Sequence, residues 1–252
     1  MKIKKLLFVL LSVSLLSACE LSLKTGKGDE VKEKKVCFLF CPKKNEKKEE
    51  RKASYNITNK FYGSATPEQR DVYKTAKIAF QNNDLKTAGE LLEKLAKQGV
   101  AQAQNDLGFS YAMNGNYQQA KYWLELSAGQ NHPMGLNGLG TLYMNGWGVE
   151  QNYTKGKEYF ELSMLQNYAP AQTNMGILYL YAWGVEQDYA KAKEYFELAL
   201  QQNDDNAKNS LGVMYLKGLG VPQNKEKAIA YFKEAAEQGN QFAIDNLKNL
   251  GQ

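Results

Sequence analysis

The stretch that decides the fold is PMGLNGLGTLYMNGWGVEQNYTKGKEYFELSMLQNY, residues 133–168, because the chain repeats it twice more. Residues 169–204 (APAQTNMGILYLYAWGVEQDYAKAKEYFELALQQND) and 205–240 (DNAKNSLGVMYLKGLGVPQNKEKAIAYFKEAAEQGN) align with it without gaps, each over 36 residues. Self-similarity at a fixed period of roughly 20 to 50 residues is typical of repeat architectures. The sequence therefore predicts an array of like units.

Shorter versions of this unit extend the array on both sides. Residues 101–132 match with a loop four residues shorter, and residues 67–100 form a more degenerate helical hairpin. Residues 241–252 begin another unit and stop, so we expect a capping helix there. Alanine, leucine, glutamine, lysine and glutamate dominate this half of the chain, which favours helix. We predict an all-α fold over 65–252, an α/α solenoid of stacked helical hairpins.

Two kinds of column in the repeats predict how the hairpins are built. Glycine recurs inside the first helix of each unit, where it costs helix stability and therefore indicates close approach of another helix: Gly108, Gly140, Gly176 and Gly212. Residues suited to capping begin the second helices, at Asp84, Asn116, Asn152, Asp188 and Asn224. Residues that tolerate left-handed backbone end them, at Gly99, Asn131, Asn167, Asn203 and Gly239.

The recurring pattern LGxLYxxGxGVxQ(N/D)YxKAxEYFExAxxQ resembles the Sel-one-like repeat family, a relative of the tetratricopeptide repeats. The match covers about 101–252, while the 32- to 34-residue spacing of the first two units is more tetratricopeptide-like. The resemblance implies a superhelix that acts as an adaptor or scaffold for other proteins, without catalysis. Such a stack leaves an extended concave surface.

The N-terminus has the pattern of a lipoprotein signal. Residues 1–18 carry early lysines and an apolar stretch from Leu6 to Leu16, which is too short to span a bilayer. Leu16 to Cys19 resembles the lipobox of bacterial lipoproteins, which implies lipidation of Cys19, palmitate included, and export to the periplasmic side. An ordinary secretory signal with a chance cysteine is the alternative. By the same resemblance, Glu20 favours the outer over the inner membrane.

Residues 19–64 predict a disordered, charged tether. Residues 20–60 contain 12 Lys/Arg and 7 Asp/Glu, against 17 and 20 in residues 61–252. Neither part is basic enough to predict nucleic-acid binding. Cys37 and Cys41 lie close enough in sequence to form a small disulfide loop in an oxidising compartment.

The composition also limits the catalytic and metal-binding sites that the repeats could form. All three cysteines precede residue 42, and the only histidine is His132, so the repeats have too few ligands for a common zinc site and no thiol for a Cys–His pair. We expect His132, in a turn between units, to be a surface residue. We predict no catalytic residue, metal, cofactor, small-molecule substrate or nucleic acid; the expected contacts are another protein and the membrane reached by the lipid.

Two surfaces are candidates for binding that protein. The first is an apolar loop column, in which tryptophan favours an interface; its residues are Trp147, Trp183 and Leu219. The second lies on the first helices, where short polar side chains can bind an extended peptide backbone: Asn105, Phe109, Asn137, Thr141, Thr173, Ile177, Tyr181, Asn209 and Val213. The alternatives are that the indoles pack as core on the neighbouring repeat, and that the polar groups bond neighbouring helices or face water.

The sequence is consistent with three functions. The leading prediction is a membrane-tethered periplasmic scaffold or adaptor for protein–protein interaction. A narrower one is an immunity protein against a secreted, phospholipase-like toxin of a type VI system, as some lipoproteins of the resembled family are. The remote one is a β-lactamase, a label given to relatives with a cysteine pair in each repeat; this chain has no cysteine there and no suitably placed S-x-x-K pattern.

Overall fold

The structure is a computed structural model, and it describes residues 65–252. Within that range the chain forms eleven α-helices and no strand. In chain order they are α1 (Pro67–Gln81), α2 (Leu85–Lys97), α3 (Ala101–Met113), α4 (Tyr117–Gly129), α5 (Pro133–Asn145), α6 (Tyr153–Met164), α7 (Ala169–Tyr181), α8 (Tyr189–Leu200), α9 (Asp205–Lys217), α10 (Lys225–Glu237) and α11 (Gln241–Asn249).

The helices pair into five hairpins that stack in chain order. Each odd-numbered helix from α1 to α9 packs most closely on the helix that follows it, each hairpin then packs on the next, and α11 packs on α10. This arrangement confirms the predicted α/α solenoid. First helices of neighbouring hairpins, such as α3 and α5, also contact one another more than second helices do. The first helices therefore line the inner side of the curve.

The helix ends lie where the capping residues predict them. Side chains at all five predicted N-caps accept a hydrogen bond from the backbone N–H three residues on, as Asn152 does from Lys155 at 2.9 Å. The five residues expected to end the second helices all have positive φ, from 55° at Asn167 to 88° at Gly239. Local sequence thus sets the hairpin boundaries.

The glycine column marks a close contact between the two helices in four of the hairpins, as predicted. A Cβ on Gly140 would lie 2.5 Å from Cε1 of Phe160, which is fully buried in the facing helix. The same 2.5 Å contact recurs between Gly176 and Phe196 and between Gly212 and Phe232. Since a Cβ would displace the ring, glycine is the residue that lets the aromatic core form.

The prediction that His132 is a surface residue is wrong, because its side chain is only 4% exposed. His132 is the N-cap residue of α5, with extended backbone at φ −79° and ψ 124°. Its position recurs at the start of each first helix, and Val100 and Asn240 are equally buried there. A residue at this junction lies between the end of one hairpin and the start of the next, so a turn position does not make it exposed.

Several predictions concern residues outside the described range. The signal peptide at 1–18, the lipidated Cys19, the tether at 19–64 and the Cys37–Cys41 pair all fall there. None of the helices within residues 65–252 is both long enough and apolar enough to span a bilayer.

Candidate functional site

The polar column of the first helices forms hydrogen bonds between repeats. Asn174 donates from Nδ2 to Oδ1 of Asn137 at 2.9 Å, and Asn246 donates in the same way to Asn209, also at 2.9 Å. We call these two pairs the amide ladder. Thr173 donates to the Asp204 carboxylate at 3.0 Å. The alternative of bonding between neighbouring helices therefore applies to several of the predicted groups, and the ladder holds their side chains in fixed orientations.

The apolar loop column packs against the preceding repeat. The Trp147 indole stacks on the Tyr117 ring at 5.4 Å between centroids, and Trp183 stacks on Tyr153 at 5.9 Å. Trp183 also lies 5.2 Å from the Tyr181 ring. All three side chains of the column are only partly buried. Each indole therefore has one face in a repeat junction while an edge stays accessible.

The two predicted surfaces meet in one open pocket on the inner side of the solenoid. The pocket lies among α7, α9 and α11 and holds about 620 Å³ of empty space, part of it open solvent at the mouth. Six predicted partner-binding residues line it: Thr173, Ile177, Tyr181, Trp183, Asn209 and Val213. The pocket combines apolar walls with amide and hydroxyl groups, which is the usual composition of a binding cleft.

The pocket is electrically neutral at its surface, because no Asp, Glu, Lys or Arg side chain lines it. Burial raises the pKa of the Tyr181 phenol above its usual value. Beside the pocket, burial of the Asp204 carboxyl raises its pKa to about 6, against the lowering effect of its hydrogen bond from the Ala207 N–H. The raised pKa keeps this carboxyl, which accepts a hydrogen bond from the lining residue Thr173, partly protonated in mildly acid conditions.

The other predicted residues lie elsewhere on the solenoid. Asn105, Phe109 and Thr141 are buried in α3 and α5, where Asn105 donates to the Asp106 carboxylate at 3.1 Å. Asn137 belongs to the amide ladder, and Trp147 and Leu219 occupy their loops outside the pocket. The twelve residues are therefore not one surface, and partner binding by any of them stays a prediction.

The sequence reasoning missed five lining residues, namely Asn174, Leu180, Asn206, Ser210 and Phe242. A signal for two of them was present. Asn206 and Ser210 lie on the same face of α9 as Asn209 and Val213, at the three- and four-residue spacing that places side chains together. Phe242 belongs to the predicted capping helix, and it lines one side of the pocket.

The described residues hold no group of three or more His, Cys, Asp or Glu side chains that could bind a metal ion.

A family model described as the Sel1 repeat matches four segments of the chain, at residues 101–132, 133–168, 169–204 and 206–240. Together they make up more than half of the 252 residues. A comparison with curated proteins found no match.

Solved structures share the fold. A Sel1 repeat protein from Oxalobacter formigenes is 32% identical with a TM-score of 0.50, over 65% of this chain and 49% of that one. A protective antigen of uropathogenic Escherichia coli displaying an SLR fold is 27% identical with a TM-score of 0.55, over 82% and 45%. This chain thus spans about half the length of each.

An immunity protein from Pseudomonas aeruginosa is 22% identical, with a TM-score of 0.54 over 71% of this chain and 68% of that one. That likeness shows the fold alone.

Proposed function

Because this chain belongs to the Sel1 repeat family, we propose that it is a protein-binding scaffold of the bacterial cell envelope, held at a membrane by a lipid on Cys19. Stacked helical repeats present an extended inner surface, and such surfaces bind other proteins. The observation that carries the proposal is that six separately predicted binding residues line one pocket on that surface. Catalysis forms no part of it.

In this proposal, the lipid on Cys19 is what attaches the scaffold to a membrane. A lipidated Cys19 with more than one acyl chain gives stable attachment, where a single chain is marginal. A flexible linker of 41 residues, the length of residues 20–60, would have a root-mean-square reach of about 35 Å, enough to set the solenoid clear of the headgroups. The proposed location is the periplasmic face of the outer membrane, on the basis of Glu20.

The binding face is tested by site-specific cross-linking in the native envelope. A photoreactive phenylalanine replaces Val213 in the pocket, and the control places it at Lys233, which is exposed on α10 outside the pocket. The proposal expects one discrete protein adduct from position 213 and none from position 233. Equal adducts from both positions, or no adduct from position 213, would contradict it.

The anchor is tested separately. A Cys19→Ser variant is expected to lose incorporation of a labelled fatty acid and to move from the membrane to the soluble periplasmic fraction. A Cys37→Ser variant is the matched control, since it removes a thiol from the same segment without removing the proposed acceptor. Membrane attachment of the Cys19→Ser variant would show that something other than a lipid holds the chain there.

An immunity role is a narrower form of the same proposal. The solenoid of the Pseudomonas aeruginosa immunity protein supports only the choice of scaffold, since the likeness is one of fold. In this form the pocket would take a segment of a secreted toxin. We expect a lipase-like effector to be encoded beside this chain, and we expect the wild-type protein but not a pocket variant to inhibit it. If no effector gene lies nearby, the immunity role loses its support.

A further inference from the structure

Three leucines lie exposed on the outer side of the solenoid, one on each of three successive second helices. Leu126 on α4 is 38% exposed, Leu162 on α6 is 45% exposed and Leu198 on α8 is 36% exposed. They occupy one repeat position, since each follows the last by 36 residues. The equivalent residues in α2 and α10 are the charged Lys94 and Glu234, so this apolar surface begins and ends at defined repeats. We call the three leucines the outer leucine column.

Acidic side chains border the outer leucine column. Glu158 and Glu194 lie one helical turn before Leu162 and Leu198, on the same face of their helices. Both carboxylates are exposed, and neither forms an ion pair within residues 65–252. Leu165, which follows Leu162 by three residues, is 83% exposed and widens the apolar surface. The column therefore combines apolar contact with negative charge that the solenoid does not pair.

The carboxylates decide which occupant the column favours. Adjacent exposed apolar side chains mark an interaction surface. In a symmetric dimer the same patch faces itself, which would bring the carboxylates of two copies together, and like charges across an interface are costly. An anionic lipid surface is disfavoured for the same reason. The occupant that fits is an apolar segment with cationic ends.

The chain itself contains such a segment, outside the described range. Residues 34–44 read KKVCFLFCPKK, so the six apolar residues 36–41 have a lysine pair on each side. No other apolar run of that length occurs in residues 20–64. In extended form, at about 3.3 Å per residue, six residues are about 20 Å long. Two steps along a stack of helices about 10–12 Å in diameter cover roughly 20–24 Å, the span from Leu126 to Leu198.

The connecting chain is long enough for this segment to reach the column. Residues 42–64 lead from it to Ala65, where the described structure begins. Those 23 residues span up to about 80 Å when fully extended, and the column lies one to three hairpins from α1, or roughly 10–36 Å along the stack. Because a linker of this kind gives an effective concentration of roughly millimolar, even a weak contact is populated.

We propose that residues 36–41 dock in extended form on the outer leucine column, with Phe38 and Phe40 against the leucines and the flanking lysines near Glu158 and Glu194. Phe38 and Phe40 share one face of an extended segment, because its side chains alternate. The inference concerns a contact within the chain and goes beyond the binding of a partner by the inner pocket.

Docking sets the orientation of the solenoid at the membrane, a consequence that rests on the proposed lipid on Cys19. Residues 20–35 then remain as the free linker, and 16 residues have a root-mean-square reach of roughly 20–24 Å. The outer side of the solenoid faces the membrane, and the inner pocket faces away from it toward a partner.

The test is photo-cross-linking within the full chain, purified from membranes in detergent. A photoreactive phenylalanine replaces Phe38, and the control places it at Tyr55 in the same linker. The monomeric product is digested, and mass spectrometry identifies the joined peptides. We expect position 38 to cross-link to peptides of α6 and α8 at least fivefold more than position 55 does.

Matched variants separate docking from chance encounter. Leu162→Ser combined with Leu198→Ser removes apolar contact at exposed positions and should lower the cross-links to α6 and α8 at least fivefold. Ile78→Ser changes an apolar residue that is 56% exposed on α1, outside the column, and should change them less than twofold. Glu158→Lys with Glu194→Lys should lower them at least threefold, and this pair decides the result if the serine variant fails to fold.

Cross-links spread evenly over the solenoid, or cross-links that neither variant pair lowers, would overturn the inference. Products that are mainly dimers would show that the segment binds a second copy, which also overturns it. A photoreactive residue at Leu162 that captures a different envelope protein in place of residues 34–44 would assign the column to that protein instead.

The outcomes separate this inference from the proposed function. If position 38 cross-links to the column while Cys19→Ser stays at the membrane, the docking stands and the lipid anchor fails. If position 38 does not cross-link to the column while Cys19→Ser is released and position 213 captures a protein, the docking fails and the anchored scaffold stands.

Discussion

Ala182 is the one alanine in a column where the other full repeats have glycine, and we expect Ala182→Gly to stabilise the solenoid. Ala182 ends α7 with left-handed backbone, at φ 58° and ψ 38°. Gly146 and Gly218 occupy the equivalent positions with φ of 70° and 69°. A Cβ in this conformation lies close to the next carbonyl oxygen, which costs about 1–2 kcal/mol in an L-residue.

The expected gain is the difference between two effects. Removing the methyl group relieves about 1–2 kcal/mol of backbone strain, while glycine adds entropy to the unfolded chain that costs about 0.4–1 kcal/mol. Ala182 is exposed, so the lost methyl contact is small. The net expectation is a gain of about 0.5–1 kcal/mol, which raises the Tm of a domain of this size by about 1–4 °C.

The reciprocal change is the control. In Gly218→Ala the new Cβ would lie 3.4 Å from Cβ of Gln223, an ordinary contact, so no clash adds to the balance of backbone strain and unfolded-chain entropy. We expect it to lower the free energy of unfolding by about 0.5–1 kcal/mol. Both variants are measured by urea unfolding followed by circular dichroism at 222 nm. A loss of stability in Ala182→Gly, together with no loss in Gly218→Ala, would refute the reasoning.

Three further perturbations test the core, a buried carboxyl and a cap. Gly176→Ala places a Cβ 2.5 Å from Phe196 and should cost about 1–3 kcal/mol in urea unfolding. Gly89→Ala, inside α2 with no atom within 4 Å of the new Cβ, should instead stabilise the fold by about 1 kcal/mol. Burial raises the pKa of the Asp106 carboxyl from 3.8 to about 6. As the pH rises, the unfolded chain therefore loses this proton at a lower pH than the folded chain does. We expect the free energy of unfolding to fall by about 1 kcal/mol from pH 5 to pH 7. Asp106→Asn should reduce that slope in urea titrations across the range. Asn152→Ala removes the N-cap bond of α6 and should cost about 1 kcal/mol by the same measurement.

Each of these has an outcome that would contradict it. A Gly176→Ala protein as stable as Gly89→Ala would mean that the helices separate at little cost. Stability that rises between pH 5 and pH 7, or a slope that Asp106→Asn leaves unchanged, would show that the buried carboxyl does not govern this window. Asn152→Asp keeps an acceptor at the cap, so a loss there equal to that of alanine would rule out the hydrogen bond as the cause.

The sequence predicted many of the residues of the candidate site, but it did not predict that they line one pocket. Six of the lining residues belong to predicted columns. Their meeting in one pocket depends on how far α7, α9 and α11 are displaced from one another along the stack. Packing between repeats sets that displacement. Aligned repeat sequences show which residues are equivalent but not how far apart the helices lie. Phe242 shows the same limit, because it reaches the pocket only when α11 lies beside α9.

The sequence by itself determined the period, the hairpin boundaries and the closest core contacts. Caps such as Asn152, left-handed ends such as Asn167 and the glycine facing Phe160 act within a few residues or within one hairpin, so each repeat encodes them locally. Only the tertiary structure decided that His132 is buried and that Asn137 and Asn209 each accept a hydrogen bond from the next repeat. Those properties arise between repeats, where burial and the choice of hydrogen-bond partner depend on the neighbouring unit.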